Sequence, residues 1–193
     1  MLADIGTGDG RFVLATAAAN PGWLVIGIDP VAGALAEASR RAAAPAHRGG
    51  LPNALFVAAA AEALPAGLHG VADRVTVNLP WGSLLRGGLA LDHAAAAGIA
   101  CLAGRGASVE LLLAPSARDR LPGDVAVERR LERGCLAEDW RRHGLWLVEA
   151  RPATPAELAA TPTTWTKRLG LTRTGTPDRT AWRIVLRREP VRP

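Results

Sequence analysis

At 193 residues, 49% of them apolar, the chain is long enough to bury a substantial core and too apolar to be disordered. It has no run of about 18 uninterrupted apolar residues and no basic-then-apolar leader, so no membrane partner is expected and the expected compartment is the cytoplasm. The net charge is +5 and Lys167 is the single lysine among 23 basic residues, so arginine, with its fixed fork of donors for phosphate, makes a polyanion a plausible partner without requiring one.

Cys101 and Cys135 lie in apolar or helical stretches without metal-ligand spacing. Two buried free thiols are expected, with neither a disulfide nor a metal. One domain spanning residues 1–193 is expected.

Met1 to Ile5 reads as a first strand, short enough to predict that the natural protein starts further upstream. The next turn, Asp4-Ile5-Gly6-Thr7-Gly8-Asp9-Gly10, holds three glycines in seven positions and runs into Arg11-Phe12-Val13-Leu14-Ala15. That is a strand, a tight turn and a helix start, with glycine where the backbone takes positive φ and a ligand comes close. The spacing is G-x-G-x-G, not the G-x-G-x-x-G of dinucleotide sites. Asp4 and Asp9 would repel a pyrophosphate and welcome a positive centre, which favours a sulfonium cofactor with an amino-acid tail. A purely structural turn is the alternative.

Residues 10–19 are helical in pattern and stop at Asn20-Pro21-Gly22. Leu24 to Ile28 is a continuous apolar run, as parallel strands show, and it ends in Asp29. An acid there, about 20 residues past the glycine turn, suits the two hydroxyls of a ribose. It equally suits the cap of the helix over 31–44, which carries Arg40 and Arg41 late. The loop 45–53 adds His47 and Arg48. These four groups read either as a phosphate grip or as a solvated helix end that complements its dipole.

Ala54 to Ala58 is a third strand, followed by small residues through Ala61 and then Glu62. Small side chains leave room for a flat ring, and Glu62 suits an exocyclic amine; a short amphipathic turn is the alternative. A fourth strand over 73–79 leads into Leu79-Pro80-Trp81-Gly82-Ser83-Leu84-Leu85, read as a loop at the ligand crevice. Trp81, between proline and glycine, has no helical or strand face to pack on, although a core role stays open. A helix over 90–103, a fifth strand over 107–113, an unassignable stretch over 115–133 and a helix over 134–143 follow. Then come a sixth strand over 145–150, a short helix over 155–160, the block Thr163-Thr164-Trp165-Thr166-Lys167-Arg168-Leu169, Arg173, and a closing seventh strand over 180–187.

Seven strands with helices between, a G-x-G-x-G turn after the first and an acid after the second resemble a class I S-adenosylmethionine-dependent methyltransferase: an α/β, Rossmann-like, mostly parallel seven-stranded sheet with helices on both faces. A narrower likeness sits in Asp4-to-Gly10, in Gly49-Gly50-Leu51-Pro52-Asn53 after Arg48, in Pro80-Trp81-Gly82-Ser83-Leu84-Leu85-Arg86, and in Thr164-Trp165 before Lys167-Arg168-Leu169. Together these resemble the 16S rRNA (adenine-1408)-N1 methyltransferases of aminoglycoside resistance, over nearly the whole chain.

The resemblance implies S-adenosylmethionine as cofactor and 16S rRNA of the 30S subunit as partner, with a monomer and no protein partner expected. Asp4, Gly6, Gly8 and nearby backbone would hold the methionine part and Asp29 the ribose. Ala61 and Glu62 would lie at the adenine, and Pro80, Gly82, Ser83, Leu85, Thr163 and Thr164 would shape the pocket mouth. Trp81 and Trp165 would stack on the target base, and Arg40, Arg41, His47, Arg48, Lys167, Arg168 and Arg173 would meet the RNA backbone. The chain departs from the family in lacking an N-terminal hairpin before the first strand and in having Ala43 and Ala44 where relatives often have lysines. A methyltransferase for another RNA such as tRNA, or an inactive binding protein of the same fold, are the alternative functions.

Overall fold

The computed structural model describes residues 1–119, 121, 127–161 and 180–189. Seven strands, β1 (Leu2–Ile5), β2 (Val25–Asp29), β3 (Ala54–Ala58), β4 (Ala72–Asn78), β5 (Ala103–Leu113), β6 (Leu145–Pro152) and β7 (Trp182–Arg188), form one sheet in the order β3-β2-β1-β4-β5-β7-β6. The first five pair in parallel, while β7 runs antiparallel between β5 and β6. The chain winds outward from β1 to β3, returns to β1's other side and continues from β4. The crevice between the loops after β1 and β4 is therefore the switch point where such sheets take ligands.

Alternation along β1 decides which helices cover which face. Leu2 joins Val13, Leu14, Ala17, Val25, Ala38 and Ala42 in a cluster under α1 (Arg11–Ala19) and α2 (Ala32–Ala42). Ala3 and Ile5 join the larger core beneath α3 (Gly82–Gly88), α4 (His93–Leu102), α5 (Val127–Glu132) and α6 (Cys135–Arg142). That core holds Val75, Val77, Ile99, Leu111, Trp140 and Ile184. The final helix, α7 (Pro155–Ala160), opens with a capping box in which Thr154 and Glu157 satisfy each other's backbone N–H. Arg151 forks onto both Glu157 oxygens at 2.8 and 2.6 Å and thereby holds that carboxyl down at about 2.

Two features differ from the sequence expectation. Residues 82–88, read as loop, form α3, because Trp81 takes extended backbone at the N-cap and Gly82 (φ 62) turns the chain into the helix. Cys101 and Cys135 are only partly buried, where full burial is expected. The unassigned stretch contains a 3-10 turn at Ala117–Asp119 and α5. No described helix is long and apolar enough to cross a membrane.

Candidate functional site

The three glycines of the first turn serve three different ends. Gly6 lies under Leu84, whose Cδ2 would overlap any Cβ placed there. Gly8 has φ 58 with nothing near the Cβ position, and its N–H donates to Asp29 Oδ2 at 2.9 Å. Gly10, the left-handed N-cap of α1, would set a Cβ 2.6 Å from both Ala38 and Phe56. Asp29 also accepts from Val31 N–H through Oδ1 at 2.9 Å. It thus ties the turn after β1 to the start of α2 and lines the cleft, while the N-cap of α2 is Val31, which has no side-chain cap.

The cleft at the switch point has two lobes. The larger, about 320 Å³, is lined by Gly6, Gly8, Asp29, Pro30, Val31, Ala34 and by Leu79 through Leu84. The smaller, about 110 Å³, is lined by Ile5, Gly6, Pro30, Ala59 through Glu62, Ser83 and Leu84. Gly6, Gly8, Asp29, Ala61, Glu62, Pro80, Trp81, Gly82 and Ser83 are thereby gathered at one place. Trp81 is 67% exposed at the mouth of the larger lobe, which removes the core alternative. Leu79, which precedes Pro80, holds φ 50 while 97% buried, with its N–H bonded to Leu112 O. A bulky residue rarely adopts that conformation, and here it turns the chain so that Trp81 faces outward.

Leu85 is a correction. It is 1% exposed and packs in the core, and its neighbour Leu84 faces the cleft instead. On a helix, consecutive side chains point about 100° apart, so only one of the pair can face the ligand. Sequence reasoning also missed Pro30, Val31 and Ala34 on the opposite wall. Val31 is an apolar side chain, 55% exposed, two residues after the strand-end acid, and that position was the available signal.

Asp4 sits behind the cleft wall at 1% exposure, where Oδ1 accepts from Thr76 Oγ1 at 2.7 Å and Asn78 Nδ2 at 2.9 Å. Burial pushes its carboxyl up to about 6 against the pull of these donors, and the nearby Asp29 charge adds to the rise. Asp9 lines neither lobe and lies 3.1 Å from Arg11 Nε.

The basic groups lie elsewhere. Arg40 and Arg41 occupy the last turn of α2, and His47 and Arg48 the 3-10 turn Ala46–Arg48, all exposed. Since α2 starts at the cleft and runs 11 residues away from it, this patch stands about 16 Å from the cleft, toward the other end of the sheet. Arg40 pairs with Glu37. The loop that follows is wired rather than loose. Pro45 O accepts from Arg48 and Gly50 N–H, and a Cβ on Gly50 would overlap Ala44 O. Asn53 Nδ2 reaches the carbonyls of Ala17, Asn20 and Trp23 at 3.0, 3.2 and 2.9 Å. Within the Gly-Gly-Leu-Pro-Asn block, Gly50 and Asn53 thus serve loop closure. Thr163, Thr164, Trp165, Lys167, Arg168 and Arg173 lie outside the described residues. No described group of three His, Cys, Asp or Glu side chains could hold a metal ion.

A family model described as NpmA: 16S rRNA (adenine(1408)-N(1))-methyltransferase matches residues 1–181. The chain belongs to this family. A 16S rRNA (adenine(1408)-N(1))-methyltransferase from Streptoalloteichus tenebrarius is 36% identical over 175 residues, covering 88% of this chain and 80% of that protein. The structure of a family variant from Catenulisporales acidiphilia, solved with its cosubstrate SAM, superposes with TM-score 0.85 at 32% identity, over 100% of this chain and 87% of that one. The aminoglycoside resistance methyltransferase NpmB1 superposes with TM-score 0.79 at 38% identity, over 97% of this chain and 86% of that one. The chain is thus an rRNA (adenine-N1) methyltransferase of class I fold, dependent on S-adenosylmethionine.

Proposed function

We propose that this chain methylates N1 of adenine 1408 in the 16S rRNA of the 30S subunit and so confers aminoglycoside resistance, acting as a cytoplasmic monomer of one domain. The observation that carries the reading is Trp81, exposed at the mouth of a cleft built on the glycine turn and Asp29. The residues fit S-adenosylmethionine: Asp29 stands where two ribose hydroxyls can be accepted, and Glu62 with Ala61 offers an amine acceptor beside a small flat space. Backbone at Gly8, with nothing near its Cβ position, leaves room for the amino-acid tail, and the Asp4 carboxyl behind the wall favours positive charge. When bound, the cofactor supplies an electrophilic methyl group.

The chain's own contribution is positioning. Adenine N1 carries a free lone pair at neutral pH, so no base is needed to expose it. Asp29 and Glu62 are the only ionisable side chains among the described residues lining the two lobes, and each has a binding role. What the chain would have to supply is a cleft mouth that holds a base swung out of its helix with N1 turned toward the bound cofactor. Trp81 offers one stacking face, worth roughly 1–3 kcal/mol per base, and its π cloud favours the ring as it becomes cationic. Trp165 and Thr163-Thr164 are proposed to complete the mouth, and Lys167, Arg168 and Arg173 to join Arg40, Arg41, His47 and Arg48 on the phosphates. With that patch a helix length from the cleft, recognition rests on the shape of a large RNA, not on a short sequence.

Primer extension on 30S subunits incubated with protein and S-adenosylmethionine tests the proposal. A methyl on N1 blocks Watson–Crick pairing, so a cofactor-dependent stop beside adenine 1408 is expected. A stop on another RNA alone would move the assignment to that substrate.

A further inference from the structure

We propose that Leu84 is a gate between the two lobes of the cleft and that the cofactor enters fully only when this side chain turns aside. The inference rests on the placement of ribose at Asp29 and adenine at Glu62 given above.

The lobes meet at Gly6, Pro30, Ser83 and Leu84, which line both. Asp29 belongs to the larger lobe and Glu62 to the smaller. Base and ribose are joined by a single bond, so a nucleoside that reaches both carboxylates has to cross that junction. The Leu84 isobutyl group stands in it, resting on Gly6 where any other residue would carry its Cβ. Gly6 is therefore the floor against which Leu84 closes. The glycine that looks reserved for a ligand is here filled by a side chain from 78 positions further along the chain.

Leu84 is the less buried of the two leucines in α3's first turn and packs only against the edge of the main core. Its neighbours in the helix, Leu85 and Gly87, are buried, and Leu85 and Leu89 pack in the main core, so the helix stays anchored while the half-buried Leu84 changes rotamer. Staggered alternatives are available to a leucine, and such flips are far faster than turnover. If the open rotamer holds about a tenth of the population, apparent cofactor affinity is about tenfold below its intrinsic value.

Three variants separate a gate from a wall. Leu84→Met keeps the volume on an unbranched chain that bends aside. Leu84→Ala removes the obstruction, and Leu84→Phe enlarges it. S-adenosylmethionine association is read by stopped-flow tryptophan fluorescence and affinity by calorimetry, on the full chain, with Asp29→Ala and Glu62→Ala alongside. The gate predicts roughly 5- to 10-fold faster association and tighter binding for the Met and Ala variants, and slower association for the Phe variant. Slower or weaker binding in all three Leu84 variants would make Leu84 a packing wall and overturn the proposal, as would rates equal to the unmodified protein. Unchanged affinity in both carboxylate variants would instead overturn the placement, and the gate with it. Should the Ala variant fail to fold, the opposed signs of Met and Phe still decide.

Discussion

Replacing Asp4 by asparagine removes a buried negative charge while leaving an oxygen for Thr76 and Asn78 to donate to. Burial raises this carboxyl from 3.8 to about 6, a difference equivalent to about 3 kcal/mol. Between those two values the folded protein keeps a proton that the unfolded chain has released. The contribution of this group to stability is therefore most favourable below about pH 4, falls as pH rises toward 6, and levels off beyond. Asparagine has no such step. Relative to the unmodified protein, Asp4→Asn should gain about 2 kcal/mol on going from pH 4.5 to pH 7.5, whatever constant offset the amide brings. For a chain of this length that is a relative shift in melting temperature of roughly 4–8 °C. Thermal melts by circular dichroism in buffers from pH 4.5 to 7.5 measure it, and cofactor titrations at pH 7.5 accompany them. The stabilised variant should bind S-adenosylmethionine more weakly, because the charge that costs stability is the one that favours a cationic ligand. Parallel melting profiles for the two proteins across that range would refute the assignment of the buried charge to Asp4.

Trp81→Ala should lower kcat/KM for 30S methylation by roughly 10- to 100-fold, the equivalent of one lost stacking face, while cofactor affinity stays within about twofold. Loss of both together would mean that the ring supports the fold. Asp29→Ala frees the N–H groups of Gly8 and Val31 as well as the proposed ribose contact, so the cofactor Kd should rise at least about tenfold, and Asp29→Asn should fall between it and the native residue. Calorimetry giving an unchanged Kd would exclude Asp29 from the site. Asn53→Ala leaves three carbonyls without their shared donor and should cost about 1–3 kcal/mol in urea unfolding. A variant as stable as the native protein would show that water replaces the amide there. Arg48→Glu should weaken 30S binding and flatten its salt dependence without touching cofactor affinity; an unaltered salt slope would remove Arg48 from the RNA surface.

Much of the architecture was legible from the chain because parallel strands buried on both faces read as short apolar runs. Leu24 to Ile28 ending in Asp29 is the clearest case, and all seven strands were placed within a few residues. The helix over 82–88 was not legible. Gly82, Gly87 and Gly88 within seven residues weaken any helical pattern, and what holds the segment helical is Leu85 and Leu89 packing on a core contributed by distant strands. With the segment read as a loop, nothing separated Leu84 from Leu85, since only a helical rotation tells the two apart.

The glycine turn, the strand-end acid and the isolated Pro-Trp-Gly block, set in a pattern of seven strands with helices between, carried the resemblance that implied the fold class and the kind of cofactor. Distances in sequence carried no information about the rest. Tertiary structure alone decided that Gly6 makes room for Leu84, that Asn53 fastens the end of α1, that Asp4 is a buried charge behind the cleft, and that the arginine patch stands a helix length from it. Each of these depends on which surfaces the sheet order brings together, and that order is set by burying the whole apolar set at once rather than by any one segment.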